Sequence, residues 1–201
     1  SDGKYSSVVV KQESPKMPVG SSELRPHRMS VGIYDLVGEK LVRRISHELD
    51  VIGATTSVEA FKGEKEGDLI LINDGDLSYG KLRFDTKSVK TLVNKLSGVE
   101  DPLTRALCWS ATWDMLRDGE LSASEYVPMA VTGLSTEKDV SVVSMTLMQL
   151  GTAVELYACD ENRDKVREQV ANGVEILLEQ AKEGSDMQLQ YARSFASFAF
   201  S

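Results

Sequence analysis

The hydrophobic residues of this chain repeat with one period before about residue 85 and with another period after it. Met29, Val31 and Ile33 alternate with polar residues, a repeat of two that is typical of a strand with one buried face. After Asp85, apolar residues recur every three or four positions, which is the repeat of an amphipathic helix. The sequence therefore predicts strands first and helices second, in two domains over residues 1–85 and 86–201.

The first part contains six short apolar runs bounded by Gly, Asn, Asp or Pro. The runs cover residues 8–10, 28–36, 40–51, 55–61, 68–72 and 81–84. No connection between them is long enough to hold a crossover helix, so the strands are expected to be antiparallel. The pattern predicts a small β-sandwich over residues 1–85, with a hairpin between the second and third runs and a connection from Ser14 to Pro26.

Start and stop signals divide the second part into five or six helices joined by short turns. The expected helix starts are Asp101 before Pro102, Ser122 with Glu125 as a capping box, Asp139 and Asp160. The expected helix ends are Gly98, Gly119 and Gly184. This organisation predicts an all-α helical-repeat array over residues 86–201. Phe195, Phe198 and Phe200 crowd its last segment, so we expect an apolar edge there that a further element covers, with the helical domain truncated at its C-terminal end.

The charge balance and the two cysteines exclude several classes of function and location. With 31 acidic and 23 basic residues the net charge is −8, which disfavours nucleic acid and anionic membrane surfaces as partners. No apolar run approaches the roughly 20 residues of a membrane-spanning helix, and residues 1–4 do not resemble the start of a signal peptide. Cys108 and Cys159 are too few for a disulfide framework and are expected to be buried in a protein of the reducing cytoplasm.

Catalytic, cofactor-binding and metal-binding residues are all expected to be absent from this chain. The segment from His47 to Val51 begins like the zinc motif H-E-x-x-H but ends in valine, and it has a strand pattern. His47 is therefore interpreted as a half-buried structural histidine, and His27 as part of a connection. Residues 73–76, Asn-Asp-Gly-Asp, have oxygen ligands for calcium, but a turn that ends a strand is favoured over a metal site.

The predicted helix after Pro102 has two tryptophans one turn apart. Trp109 and Trp113 are interpreted as core residues. Asp114 lies beside them, and the sequence leaves open whether it is a buried polar anchor or part of the exposed ion pairs expected around Arg117.

Five segments resemble the region that follows the catalytic domain in actinobacterial-type aminopeptidase N, a member of the zinc-dependent gluzincin aminopeptidases. They are Leu24–Arg28 (LRPHR), Val31–Asp35 (VGIYD), Asp68–Asp85 (DLILINDGDLSYGKLRFD), Leu103–Trp109 (LTRALCW) and Ala111–Leu121 (ATWDMLRDGEL). The resemblance spans most of residues 24–135. Its most specific pieces are the N-D-x-D-L-x-Y strand end and the helix W-x-x-x-W-D-M-x-R-D.

The resemblance implies an enzyme that removes N-terminal residues from peptides. In that family zinc is held by H-E-x-x-H and a distant glutamate, and a G-A-M-E-N segment recognises the substrate amine, but this chain contains neither motif. The resemblance therefore implies a non-catalytic region whose partner is its own upstream catalytic domain, where the zinc and the peptide substrates would bind. The β-sandwich would be a spacer, and the helices would cover the active-site chamber.

The alternative is a stand-alone module in which the β-sandwich and the helices bind another protein. A third hypothesis is that the chain is an enzyme in its own right. Under the aminopeptidase hypothesis, the 17 acidic and 11 basic residues after position 85 predict a preference for peptides with a free amino terminus and basic side chains.

Overall fold

The computed structural model describes residues 3–14 and 22–199. Its internal contacts group the chain into two compact units, Ser1–Ser88 (unit 1) and Val89–Ser201 (unit 2). The prediction of two domains that meet at Asp85 and Thr86 stays a prediction, because these units describe packing and not independent folding.

The described residues of unit 1 form five strands in two antiparallel sheets. The larger sheet has the strand order β3-β2-β5, with β2 at His27–Val37, β3 at Lys40–Val51 and β5 at Leu69–Ile72. The smaller sheet pairs β1, Val9–Lys11, with β4, Thr55–Ser57. The predicted hairpin and the predicted antiparallel pairing are confirmed, whereas a sandwich of the two sheets stays a prediction.

The core of unit 1 lies on the face of the large sheet that the alternation predicts. Met29, Val31 and Ile33 of β2 are buried, and Ile45 and Leu49 of β3 pack against them. A bulge between Ile33 and Tyr34 shifts the register of the two strands. The buried residues of this core are Val10, Met29, Val31, Ile33, Val51, Val58 and Phe61.

Two strand predictions for unit 1 are wrong in detail. The run 81–84 is irregular and belongs to neither sheet, although Phe84 is buried. The run 55–61 is a strand only in its first half, and Glu59–Phe61 form a 3₁₀ turn that places Phe61 in the core. Most of the predicted connection from Ser14 to Pro26 lies outside the described residues.

Unit 2 is helical, as predicted, although its first helix begins in the last residues of unit 1. The helices are α1 (Thr86–Lys95), α2 (Pro102–Arg117), α3 (Ala123–Leu134), α4 (Val140–Thr152), α5 (Arg163–Gln180) and α6 (Asp186–Ala199). Helix α3 contacts α2, α4 and α5, and α6 contacts α4 and α5. Packing between non-consecutive helices is consistent with the predicted array.

Most predicted helix ends are confirmed by their hydrogen bonds. The Asp101 carboxylate accepts a hydrogen bond from the Thr104 N–H at 2.8 Å, and Pro102 is the first residue of α2. Gly119 follows the end of α2 with a φ of 75°, in the left-handed region that favours glycine. At the start of α3, Glu125 accepts hydrogen bonds from both the N–H and the hydroxyl of Ser122.

The predicted start of α5 at Asp160 is wrong. Helix α4 continues through a π-helical segment, Ala153–Tyr157, and Ala158 is extended, so the chain needs several more residues before it can turn back. Helix α5 begins at Arg163, and Asp160 is an exposed residue that pairs with the Arg163 guanidinium at 2.8 Å.

Within the part of the chain that the structure describes, one helical segment is long and apolar enough to cross a membrane by the criteria of length and composition alone. It is Val140–Tyr157, with a mean hydropathy of 1.2 over 18 residues. The expectation that no apolar run is long enough to span a membrane did not include this segment, because Ser141, Ser144, Thr146 and Gln149 interrupt its apolar residues. Such a segment is weak evidence for a span, since core helices of water-soluble proteins have the same composition, and α4 packs against α3 and α6.

The expected apolar edge at the end of the helical part is only partly present. Phe198 is buried and Phe195 is half-buried. The Phe198 ring lies against α4, 3.8 Å from the position that a Cβ at Gly151 would take. The prediction is therefore wrong for Phe198, whereas Phe200 lies outside the described residues.

Candidate functional site

The segment Asn73–Asp76 is a turn that ends β5, as the sequence favoured. Asn73 and Asp76 both adopt left-handed backbone angles, with φ near 57°. The Asn73 side chain stabilises this turn because its Nδ2 donates to the Ser78 carbonyl at 2.6 Å while its Oδ1 accepts from the Ser78 N–H at 2.9 Å. Over residues 3–14 and 22–199, no group of three or more His, Cys, Asp or Glu residues is placed to hold a metal ion.

Asp74 of the same turn is a buried carboxylate with hydrogen-bond donors on two strands. Its Oδ1 accepts from the Tyr34 hydroxyl at 2.7 Å, and its Oδ2 accepts from Arg43 Nη1 and the Ser46 hydroxyl, both at 3.2 Å. The carboxylate side chain is 1% exposed. It therefore joins the end of β5 to β2 and β3, and its hydrogen bond raises the pKa of Arg43.

Gly32 leaves the space that this carboxylate occupies. A Cβ at residue 32 would lie 2.5 Å from the Asp74 Oδ2 and 2.9 Å from the Tyr34 ring. Sequence reasoning missed Tyr34, Arg43 and Ser46 as partners of Asp74. The signal available for Tyr34 and Gly32 was their place in the V-G-I-Y-D segment of the family resemblance.

The two histidines lie in strands of unit 1. His27 is the first residue of β2, and its Nδ1 is hydrogen-bonded to the Ser78 hydroxyl at 2.5 Å, so its assignment to a connection was wrong. His47 lies in β3, as predicted, and its ring contacts Phe61 edge-on at a centroid distance of 6.4 Å. It is more exposed than expected because β3 is an edge strand.

The two tryptophans of α2 have different surroundings. Trp109 is buried against α3, where its ring would be 2.6 Å from a Cβ at Gly133. Trp113 is half-buried between Tyr126 and Tyr157, with ring centroids 5.7 and 6.0 Å away. Tyr126 donates its hydroxyl hydrogen to Gln149 Oε1 at 2.9 Å, and burial raises the pKa of this phenol.

The remaining polar candidates of unit 2 are placed as follows. Asp114 has a side chain 19% exposed and a long ion pair of 3.9 Å to Arg117 Nη1, so it is partly buried and weakly paired. Cys108 is buried in α2, as expected. Cys159 is exposed after the π-helical segment, contrary to expectation, because the chain leaves the helix at Ala158.

These arrangements hold strands and helices together through the hydrogen bonds of Asn73, Asp74 and Tyr126 and through the packing of the two tryptophan rings. The specific pieces of the resemblance thus have structural explanations: Asn73 and Asp74 organise the strand end, and Trp109 and Trp113 pack α2 against α3 and the π-helical segment. This chemistry is that of a scaffold, in which each carboxylate or amide fixes a particular backbone geometry.

Comparison with known proteins gives a family match and a curated relative. The model of the ERAP1-like C-terminal domain family matches residues 69–201. Aminopeptidase N of Streptomyces lividans is 39% identical over 202 residues, which is 98% of this chain and 24% of the relative. The chain therefore spans about a quarter of the length of that curated relative. Because the family match covers well over half of its residues, the chain belongs to the ERAP1-like C-terminal domain family and corresponds to a C-terminal region of an aminopeptidase N.

Proposed function

We propose that this chain is the non-catalytic C-terminal region of a zinc aminopeptidase that removes N-terminal residues from peptides. The observation that carries the proposal is the 39% identity to aminopeptidase N over 98% of the chain. Zinc would be bound by the catalytic domain, which is the expected partner of this region. Unit 1 would serve as a β-sandwich spacer and unit 2 as a cover over the active-site chamber.

The experiment compares the intact polypeptide with this chain alone. The intact polypeptide should hydrolyse an amino-acid anilide, lose activity with a zinc chelator and recover it with added zinc, whereas residues 1–201 should be inactive. Hydrolysis by residues 1–201 alone would overturn the proposal. So would a reading frame that encodes no H-E-x-x-H motif upstream of this region.

The second candidate function is a stand-alone interaction module. An exposed apolar stripe on α4 and the π-helical segment favours it, because Met145, Met148 and Leu156 are 56, 68 and 72% exposed. The reading frame also separates the two candidates, since a module of this kind needs no upstream catalytic sequence. A cytoplasmic location is part of the first proposal and rests on the low cysteine content.

The proposed cover also gives a reason for a preference for basic peptides. Three exposed glutamates, Glu168, Glu175 and Glu179, are spaced by seven and then four residues, which places them on one side of α5. Among the described residues, no ion pair to any of the three is present. In the intact enzyme, changing all three to Gln should raise KM for basic peptides and leave KM for neutral peptides unchanged. Glu48→Gln with Asp50→Asn in β3 is the control, and an equal change for both peptide classes would contradict this preference.

A further inference from the structure

The corner between α3 and α4 contains a buried ion pair that the sequence did not reveal. Glu137 lies in this corner with a side chain 3% exposed, and Arg105 of α2 reaches it with a side chain 14% exposed. Arg105 Nε donates to Glu137 Oε2 at 2.9 Å, and Arg105 Nη2 donates to Glu137 Oε1 at 3.2 Å. The pairing is bidentate, the geometry in which arginine binds a carboxylate most strongly.

Each partner of this pair also binds backbone groups. Arg105 Nη1 donates to the carbonyls of Val99 and Glu100, at 2.8 and 3.1 Å, in the corner before α2. Glu137 Oε1 accepts from the N–H groups of Lys138 and Asp139, at 2.9 and 3.2 Å, just before α4. One ion pair therefore connects the corner that precedes α2 with the corner that precedes α4.

The other charged and titratable groups around Glu137 come from its own corner and from α6. The Asp139 carboxylate accepts from the N–H groups of Ser141 and Val142 at the start of α4. From α6, the Tyr191 hydroxyl donates to the Leu134 carbonyl at 3.4 Å, and burial and the Glu137 charge both raise the Tyr191 pKa. Lys138 is the next residue in the same corner, and its backbone N–H donates to Glu137.

The ion pair keeps Glu137 ionised in spite of its burial. Burial acts to raise the pKa of Glu137, but the hydrogen bonds from Arg105, Lys138 and Asp139 and the Arg105 charge outweigh it and lower that pKa. A carboxyl whose folded pKa is depressed stabilises the fold above its unfolded pKa. That stabilisation is lost as the pH falls through the folded pKa.

We propose that Arg105 and Glu137 form an acid-released clamp that joins the corner before α2 to the corner before α4. Protonation of Glu137 removes the charge that holds the guanidinium, so the α3–α4 corner opens while the helices remain folded. The helix array is rigid when the clamp is ionised and gains a hinge at residues 135–139 when it is protonated. This inference does not depend on the proposed enzymatic activity.

The test is hydrogen exchange of the Lys138 and Asp139 amides in the intact polypeptide, corrected for the intrinsic effect of pH on exchange. In the wild type, their protection should fall by up to about tenfold per pH unit between the ordinary pKa of Glu137 in the open corner and its lower pKa in the closed corner, and then level off, while the amides of the α4 interior stay protected. In Glu137→Gln, protection should be low at neutral pH and independent of pH in the same range. Arg105→Lys should move the loss of protection to higher pH, because lysine cannot make the bidentate pair.

Two further variants keep the test decisive. Asp160→Asn removes an exposed ion pair of the same unit and should leave the pH profile unchanged. If Glu137→Gln does not fold, Arg105→Met with Glu137→Met replaces the pair with apolar groups and should give the same flat profile. A wild-type profile that stays flat until α4 itself unfolds would overturn the proposal, as would the same pH dependence in a variant without Glu137.

Discussion

Trp109 shows how a single glycine determines the packing of two helices. Its ring lies against α3 where Gly133 has no side chain, and a Cβ there would be 2.6 and 2.7 Å from two ring atoms. Gly151 in α4 is different, because its Cβ would meet only the Phe198 ring at 3.8 Å, an ordinary van der Waals distance. The two glycines are both helical, so they form a matched pair.

Gly133→Ala should destabilise the protein by about 1–3 kcal/mol, because the buried Trp109 ring has to move. Gly151→Ala should be neutral or stabilise by about 0.5–1 kcal/mol, since alanine favours the helix and fits the available space. Urea denaturation followed by circular dichroism measures both changes. Equal effects at the two positions would show that Trp109 does not restrict residue 133.

Asp74→Ala should also be destabilising, by about 2 kcal/mol, because the buried Tyr34 hydroxyl would lose its acceptor in the protein interior and the exposed Ser46 would lose a hydrogen bond. This expected loss of stability is well below the loss for a fully buried ion pair, because the Arg43 side chain is 55% exposed. Asp50→Ala removes a carboxylate that is 57% exposed and paired with Arg28, and should hardly move the unfolding midpoint. Similar midpoints for the two variants would contradict this role of Asp74.

At the scale of elements, capping residues account for where several helices begin. Asp139 is a clear case, because its Oδ1 accepts from the Ser141 and Val142 N–H groups at 2.8 and 3.2 Å. Asp160 has the same residue type but lies outside α5. The difference arises from the π-helical segment before it, which depends on tertiary packing and not on a local signal.

Asp139→Ala should cost about 1 kcal/mol, because two N–H groups at the start of α4 lose their acceptor. Asp139→Asn keeps the acceptor and should retain most of the stability. Thermal unfolding monitored at 222 nm compares the two variants with the wild type. If Asp139→Asn lost as much stability as Asp139→Ala, the effect would arise from the charge of Asp139 and not from its role as a cap.

At the scale of the whole molecule, each unit has a buried core of its own. Phe61 lies in the core of unit 1, and Leu150 is fully buried in α4 of unit 2. If the units are independent domains, each core substitution should loosen only the unit that contains it.

Phe61→Ala should lower the free energy of unfolding by about 3–5 kcal/mol, the usual cost of this change in a well-packed core. It should therefore reduce amide protection in unit 1 and leave the protection of the α3 amides unchanged. Leu150→Ala should have the reverse effect. Hydrogen exchange with mass spectrometry measures both units in one sample. Loss of protection throughout the chain in either variant would show that the units unfold as one.

Much of this architecture could be predicted from local patterns. Several confirmed predictions depend only on neighbours within a few residues. They are the alternation around Met29–Ile33, the caps at Asp101 and Asp139 and the end of α2 at Gly119. The predictions for 81–84, Asp160 and Cys159 were wrong because each outcome depends on a partner or a chain path set by distant residues.

The sequence by itself determined the class of most elements, the turn at Asn73–Asp76 and the family resemblance, because period, capping chemistry and motif spacing are local properties. Only the tertiary structure decided which carboxylates are buried and what holds them: Asp74 meets donors from β2 and β3, and Glu137 meets Arg105 thirty-two residues away. A charged side chain can be buried only where the fold brings its partners together, and that meeting is not encoded in its immediate neighbours.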